Sequence, residues 1–353
     1  MQELKRIINY KRIILLLIAV TVNVVFFLYD NKPVMDEDII NKENVAHETY
    51  IKNYHEEVNA IIDNADKLKK YSIFNKAGSF SYANILQTAR DFERVKNVIL
   101  PEDEYKGVQA YTTYYYQYFF TMLVMMFVIY DMFAQRDNGM WSITYSCANG
   151  RIMYAIKQTG VIVVTGAFTH TLIYWSTFIA AMLQRGGVRD LVNPVQTIET
   201  FDKFTYPWSK IKYVTVLYLI SMVCIVALCI TIWGVFVMFR NRVYALVTML
   251  IFAAVEQFIY SHIDIHSVWN GLHYINIINI ININATFSSY RNWGVGTYVF
   301  PVFSVVLFVH IICAGVIGYI AINVSASMKP YKNTTFIKRF TDCVSAGCQK
   351  ILA

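Results

Sequence analysis

Six apolar runs constrain this chain more than any other feature of its sequence. They cover residues 13–28, 112–133, 160–183, 214–239, 243–260 and 298–324. A helix rises about 1.5 Å per residue, so runs of this order reach across a hydrocarbon core of roughly 30 Å, with allowance for tilt. A soluble fold scatters its apolar residues instead. Charged residues are only 16% of the 353, against about a quarter in soluble domains, and 56% are hydrophobic. The expected fold is an all-α membrane protein of six transmembrane helices, with a helical extracellular domain between the first and the second.

Basic residues set the expected orientation. Lys5, Arg6, Lys11 and Arg12 precede the first run, and Arg136, Arg151 and Lys157 follow the second. Arg240 and Arg242 separate the fourth from the fifth, and Lys329, Lys332, Lys338, Arg339 and Lys350 follow the last. Few acids share those segments, whereas residues 30–110 hold more acids than bases. The positive-inside rule therefore predicts a multi-pass protein with both termini in the cytoplasm. The outside loop at 184–212 runs against the rule, with Arg185, Arg189, Lys203, Lys210 and Lys212. Tyr111, Tyr114, Tyr115 and Tyr116 open the second run, and Tyr206 and Trp208 precede the fourth, where interfacial aromatics belong. The net charge of +7 belongs to these flanks and does not imply nucleic acid. No small-x-small cleavage site follows the first run, which reads as an uncleaved anchor. Leu4, Ile7 and Ile8 suggest a short interfacial helix ahead of it.

Residues 1–30 are thus the interfacial helix and first span, 31–110 the outside domain, 111–330 the remaining five spans, and 331–353 a cytoplasmic tail. The outside domain is long enough to fold but small for an independent core. Tyr50, Tyr54, Val58, Ile61, Ala65 and Leu68 recur at helical spacing, with Glu48 and Lys52 as an i,i+4 pair. A break is expected around 75–78. Ser81 is the expected cap of a second helix with Tyr82, Ile85, Leu86, Ala89 and Phe92 on one face, and Pro101 ends the pattern. Such a helical hairpin serves as a gate or cargo dock, or simply packs between subunits. In 261–297, Ile275, Ile277, Ile278, Ile280, Ile281 and Ile283 alternate with Asn276, Asn279, Asn282 and Asn284. This predicts an interfacial or re-entrant element with one wet asparagine face.

No phosphate loop, H-E-x-x-H zinc motif or G-x-S-x-G elbow occurs, so the chain is not by itself a phosphate-loop ATPase. His262, Asp264 and His266, with His273 nearby, are zinc- or copper-type ligands, but polar residues at a helix end are the plainer reading and no metal is assigned. Glu256, beside Gln257 in the fifth run, is expected to face a partner or a wet cavity, because a carboxylate in the membrane is costly. His170 and His310 are expected to form interhelical hydrogen bonds. Cys147, Cys224, Cys229, Cys313, Cys343 and Cys348 give neither a disulfide framework in the outside segments nor a zinc-type spacing.

The inside loop between the second and third runs, residues 135–157, combines a charged opening, a glycine, an amphipathic middle and bases at its end. Asp137, Gly139, Ser146, Gly150, Arg151 and Lys157 mark its register. Two further stretches accompany it. One is Ser79-Phe80-Ser81-Tyr82-Ala83-Asn84-Ile85 with Ser72-Ile73-Phe74 before it and Thr88-Ala89 and Asp91-Phe92-Glu93 after it; the other is Tyr290-Arg291-Asn292-Trp293-Gly294. Together they resemble the permease subunits of type-2 ABC exporters, in particular a bacterial group with a helical outside domain after the first span. Gln135 departs from that group's pattern, which has an acid there.

The resemblance implies a permease that pairs with a second copy, homo- or heterodimeric, in the bacterial cytoplasmic membrane. A separate ATP-binding subunit would carry ATP and Mg, so this chain needs no cofactor of its own. The loop would be a coupling helix docking into that subunit, through Arg136, Asp137, Gly139, Met140, Trp141, Ser146 and Gly150, with Arg151 and Lys157 as anchors at the lipid surface. The cargo would be a peptide or a hydrophobic molecule, and Glu256 and Gln257 would face its route. Two other readings stand beside this one: a sensor module whose outside hairpin binds a ligand, and a metal-dependent membrane enzyme built on His262, Asp264 and His266.

Overall fold

The structure, a computed structural model, describes residues 10–33, 36–71, 74–101, 106–137, 150–239, 241–263, 267, 269, 271–272 and 275–327. Helix dominates. Six helices are long and apolar enough to cross a membrane: α1 (Tyr10–Asp30), α5 (Tyr116–Asp137), α6 (Gly150–Arg185), α7 (Lys210–Met238), α8 (Arg242–His262) and α11 (Val302–Ser327). By length and composition they are compatible with a multi-pass membrane protein. Between α1 and α5 lie α2 (Glu37–Leu68), α3 (Phe80–Glu93) and the short α4 (Gly107–Thr113). Between α8 and α11 lie α9 (Ile278–Ile281), α10 (Ile283–Ser288) and a hairpin of β1 (Asn292–Val295) and β2 (Tyr298–Pro301).

α7 is the central helix, with 61% of its most apolar stretch buried, and α8 a peripheral one, with 6%. A long, predominantly apolar helix suits both places, since either protein or lipid tails can cover it. Trp233, Phe236 and Tyr213 of α7 are buried in one apolar cluster with Tyr111, Tyr118, Phe133 and Tyr174, and the Phe133 and Phe236 ring centres lie 5.5 Å apart. α7 and α11 approach closely at small residues. Gly234 lies against Ile317, and a side chain on Gly318 would meet Ile230 Cγ2 at 3.1 Å. Lipid gives helices no hydrophobic reason to associate, so close backbone packing at glycine supplies the attraction.

Several element ends differ from the sequence reading. The second apolar run does not begin at Thr112: α4 ends at Thr113, and the helix restarts at Tyr116. Tyr114 is extended there, and its hydroxyl reaches Asn23 of α1. The freed carbonyl of Thr112 accepts from Asn284 Nδ2 at 2.6 Å, so the break leaves that acceptor satisfied. α6 starts at Gly150, ten residues before the expected 160. Arg151 and Lys157 interrupt the hydropathy but not the helix, because Tyr154 and Ala155 between them are buried. Residues 298–301 belong to β2 rather than to the last helix. Gly296, at φ 62°, closes the hairpin, which a side chain in that turn would resist.

In the first inter-helix segment, α2 carries the expected stripe. Tyr54, Val58 and Ala65 are buried, and Phe92, Val95 and Leu100 pack against this face. Glu48 and Lys52 pair at 3.7 Å. The cap of α3 is Ser79, not Ser81: its Oγ accepts from Tyr82 N at 3.3 Å, which starts the helix two residues earlier. The asparagine face in 275–284 is at most partly wet, with Asn282 and Asn284 half-buried. Asn276 and Asn279 are buried, and Asn276 Nδ2 donates to Glu256 O at 2.7 Å.

Candidate functional site

The flanks of the inside loop are described, but Gly139, Met140, Trp141 and Ser146 lie outside the described residues, as does the Asp137 side chain. Arg136 sits in the last turn of α5. Its Nη1 donates to Phe236 O at 3.2 Å, and its guanidinium stands 4.7 Å from the Phe133 ring centre. Phe236 O is among the last carbonyls of α7, which lack intrahelical partners and carry partial negative charge, so a fixed cation is well placed there. Gly150 opens α6. Arg151 Nη1 donates to Ala326 O at 3.4 Å, in the last described turn of α11. Arg151, expected at the lipid surface, therefore grips another helix. Lys157 is exposed. Arg136 and Arg151 thus bracket residues 138–149, each bonded to a different membrane-length helix. On the same side, Arg12 of α1 pairs with Asp131 of α5, Nε to Oδ2 at 3.0 Å, and Arg242 stands over Tyr130 at 4.5 Å.

Glu256 of α8 has a partner within the chain. Its Oε2 accepts from the Ile277 backbone N–H at 3.0 Å, immediately before α9, while its carbonyl accepts from Asn276. The carboxylate thereby pins the 276–281 turn to α8. Gln257, next to it, is exposed.

His170 Nε2 and Ser221 Oγ lie 2.8 Å apart, joining α6 to α7 as expected. The imidazole stands between the rings of Tyr118 and Tyr218, each 5.9 Å away. His310 departs from the expectation: its Nδ1 bonds Val306 O at 2.7 Å, one turn back in its own helix. His262 stacks on Phe258 at 4.1 Å, with Nδ1 3.0 Å from Phe258 O. Asp264, His266 and His273 lie outside the described residues. Among the described residues, no group of three or more His, Cys, Asp or Glu side chains could hold a metal ion.

Two stretches singled out in the sequence meet in space. The Tyr290 hydroxyl donates to Asp91 Oδ2 at 3.0 Å, Asn292 Nδ2 donates to Asn84 Oδ1 at 2.9 Å, and Gly294 lies directly against the Phe80 ring. Asp91 is also paired with Arg94 at 3.1 Å and accepts from Gln87 at 2.9 Å. Burial pushes the Tyr290 phenol up to about 12, against opposing bonds from Thr88 and Asn292, so it stays a donor. Asn84, Thr88 and Asp91 were not candidates individually; only their place in a marked stretch pointed to them. α2 is tied to the same face of the protein, with Tyr50 OH donating to Gln196 O at 2.8 Å. No family model, curated protein or solved structure matches the chain.

Proposed function

We propose that this chain is the transmembrane permease subunit of an ATP-driven type-2 ABC exporter in the bacterial cytoplasmic membrane. It pairs with a second permease copy and with a separate subunit that binds ATP and Mg, and is not itself an enzyme. Both termini and the 138–149 loop face the cytoplasm, and the α2–α3 unit faces outward. The cargo is a peptide or a hydrophobic molecule.

One observation carries the reading: Arg136 and Arg151, at the two ends of the loop, are bonded to α7 and α11 respectively. A coupling element has to be held to the spans it moves, and an ordinary positive-inside loop needs no such ties. The loop's docking residues are Asp137, Gly139, Met140, Trp141, Ser146 and Gly150. Glu256 serves the route indirectly, by fixing the 276–281 turn, and Gln257 on the exposed side of α8 meets what lies beside that helix.

The sensor reading is favoured by a different observation, the bonding of α3 to the hairpin that leads into α11. One experiment separates the two. The tagged chain is expressed with its genomic neighbours, extracted in mild detergent, and its co-purifying proteins are identified by mass spectrometry. An equimolar phosphate-loop ATPase is expected. A preparation without one, where the ATPase is expressed, overturns the permease reading.

A further inference from the structure

α11 is held at both ends by different parts of the chain. At its start, β2 runs into the helix at Pro301–Val302 with no linker, and Val302 N donates to Arg291 O at 2.9 Å. The same hairpin seats α3, through Tyr290 on Asp91, Asn292 on Asn84 and Gly294 on Phe80. At its far end, Ala326 O is gripped by Arg151. The two ends of a 26-residue helix lie about 39 Å apart, far beyond direct contact.

We infer that α11, braced by α7, is a rod that couples the flanks of the 138–149 loop to the seating of α3 on the hairpin. No proline interrupts the helix, so it has no built-in kink of that kind. Gly234 and Gly318 bring α7 and α11 into close backbone contact in the middle, and Arg136, in the last turn of α5 at the other flank, is bonded to α7. A shift of the loop flanks therefore moves two packed helices together, and the hairpin, continuous with one of them, carries the shift to α3. Arg151 and Asn292 are the positioning residues at the two ends. The coupling stands on this geometry; its use in gating a cargo route rests on the permease reading.

Coupling between sites is reciprocal, which gives the test its form. Hydrogen exchange is followed by mass spectrometry on the full chain in lipid nanodiscs. Arg151→Ala is expected to speed exchange in residues 84–93 roughly fivefold, the low end of typical coupling between sites. Asn292→Ala, an independent change, is expected to speed exchange in residues 321–327 to a similar degree. Arg151→Lys, which keeps charge and donor, restores most of the protection. A merely local structural role moves only the peptides around each substitution, and that result in both alanine variants overturns the proposal. The measurement needs no ATPase. Its failure leaves the permease reading standing, and a missing ATPase leaves the coupling standing.

Discussion

Asn23 Nδ2 donates to Thr177 Oγ1 at 2.7 Å in the interior of the bundle, and the Tyr114 hydroxyl donates to Asn23 Oδ1 at 3.0 Å. One fully buried amide thus joins α1, α6 and the break between α4 and α5. α1 is otherwise largely exposed, so this staple orients it. Asn23→Leu keeps the branching of the side chain and removes both bonds. Thr177 retains its bond to Ile173 O and Tyr114 retains Asn23 O at 3.2 Å, which limits the loss. The expected cost is about 1 kcal/mol, within the range of interhelical bonds in membranes. It is read as a lower unfolding temperature in detergent; an unchanged midpoint sinks the staple.

Gly294 has no room for a side chain, because an added Cβ would run into the Phe80 ring. Gly294→Ala should therefore destabilise the α3–hairpin contact by about 1–3 kcal/mol, as overpacking does. Phe80→Ala in the same chain should recover part of that cost by opening the space. A double-mutant cycle on protease resistance of residues 80–93 measures it, and strict additivity of the two changes refutes the contact.

The long helices were legible because a run of apolar residues reports membrane length directly. What hydropathy could not separate was adjacent structure of equal apolarity. Tyr298, Val299, Phe300 and Pro301 look like the start of the last span, yet they pair with residues 292–295. Gly296 was the local sign of that turn. Hydropathy also cut α6 short at two bases, although Tyr154 and Ala155 show that the helix is packed there. Ser79 and Ser81 are both possible caps by type, and only the chain's path chose between them. Among the site residues, Glu256 was conspicuous by its charge. Its partner, the Ile277 amide 21 residues away, carries no side-chain signature. Arg136 and Arg151 were likewise visible as bases, but their acceptors are backbone carbonyls on other helices, which sequence spacing cannot reveal.

Tyr290 offers a pH readout outside the membrane-length helices. Its folded value is raised from the model-compound 10.0 to about 12, mainly by burial. The protonated form is the one held in the folded state. Its contribution is therefore complete below pH 10 and is lost as pH rises through 10 to 12. An ultraviolet difference titration between the native chain and Tyr290→Phe isolates this phenol from the other tyrosines. The missing transition should fall near 12; a midpoint at 10 removes the buried donor from the account.

Arg136, Arg151 and Lys157 share a charge but not an environment, and this separates coupling from simple topology. Arg136 and Arg151 are bonded to α7 and α11, whereas Lys157 is exposed two turns into α6. If all three served only to hold the loop side of the membrane, alanine at any of them would act alike and weakly. If the loop drives the spans through its flanks, Arg136→Ala and Arg151→Ala should each lower substrate-stimulated ATPase activity about 2- to 30-fold, which corresponds to typical coupling changes of 0.5–2 kcal/mol. Lys157→Ala should leave it near the native rate. A bulky or charged replacement within 140–146, where the ATP-binding subunit would dock, should abolish the stimulation with expression intact. The assay uses the co-purified complex in nanodiscs with its basal ATPase as the internal reference. Equal, small effects at all three bases would return Arg136 and Arg151 to the role of membrane-surface charges.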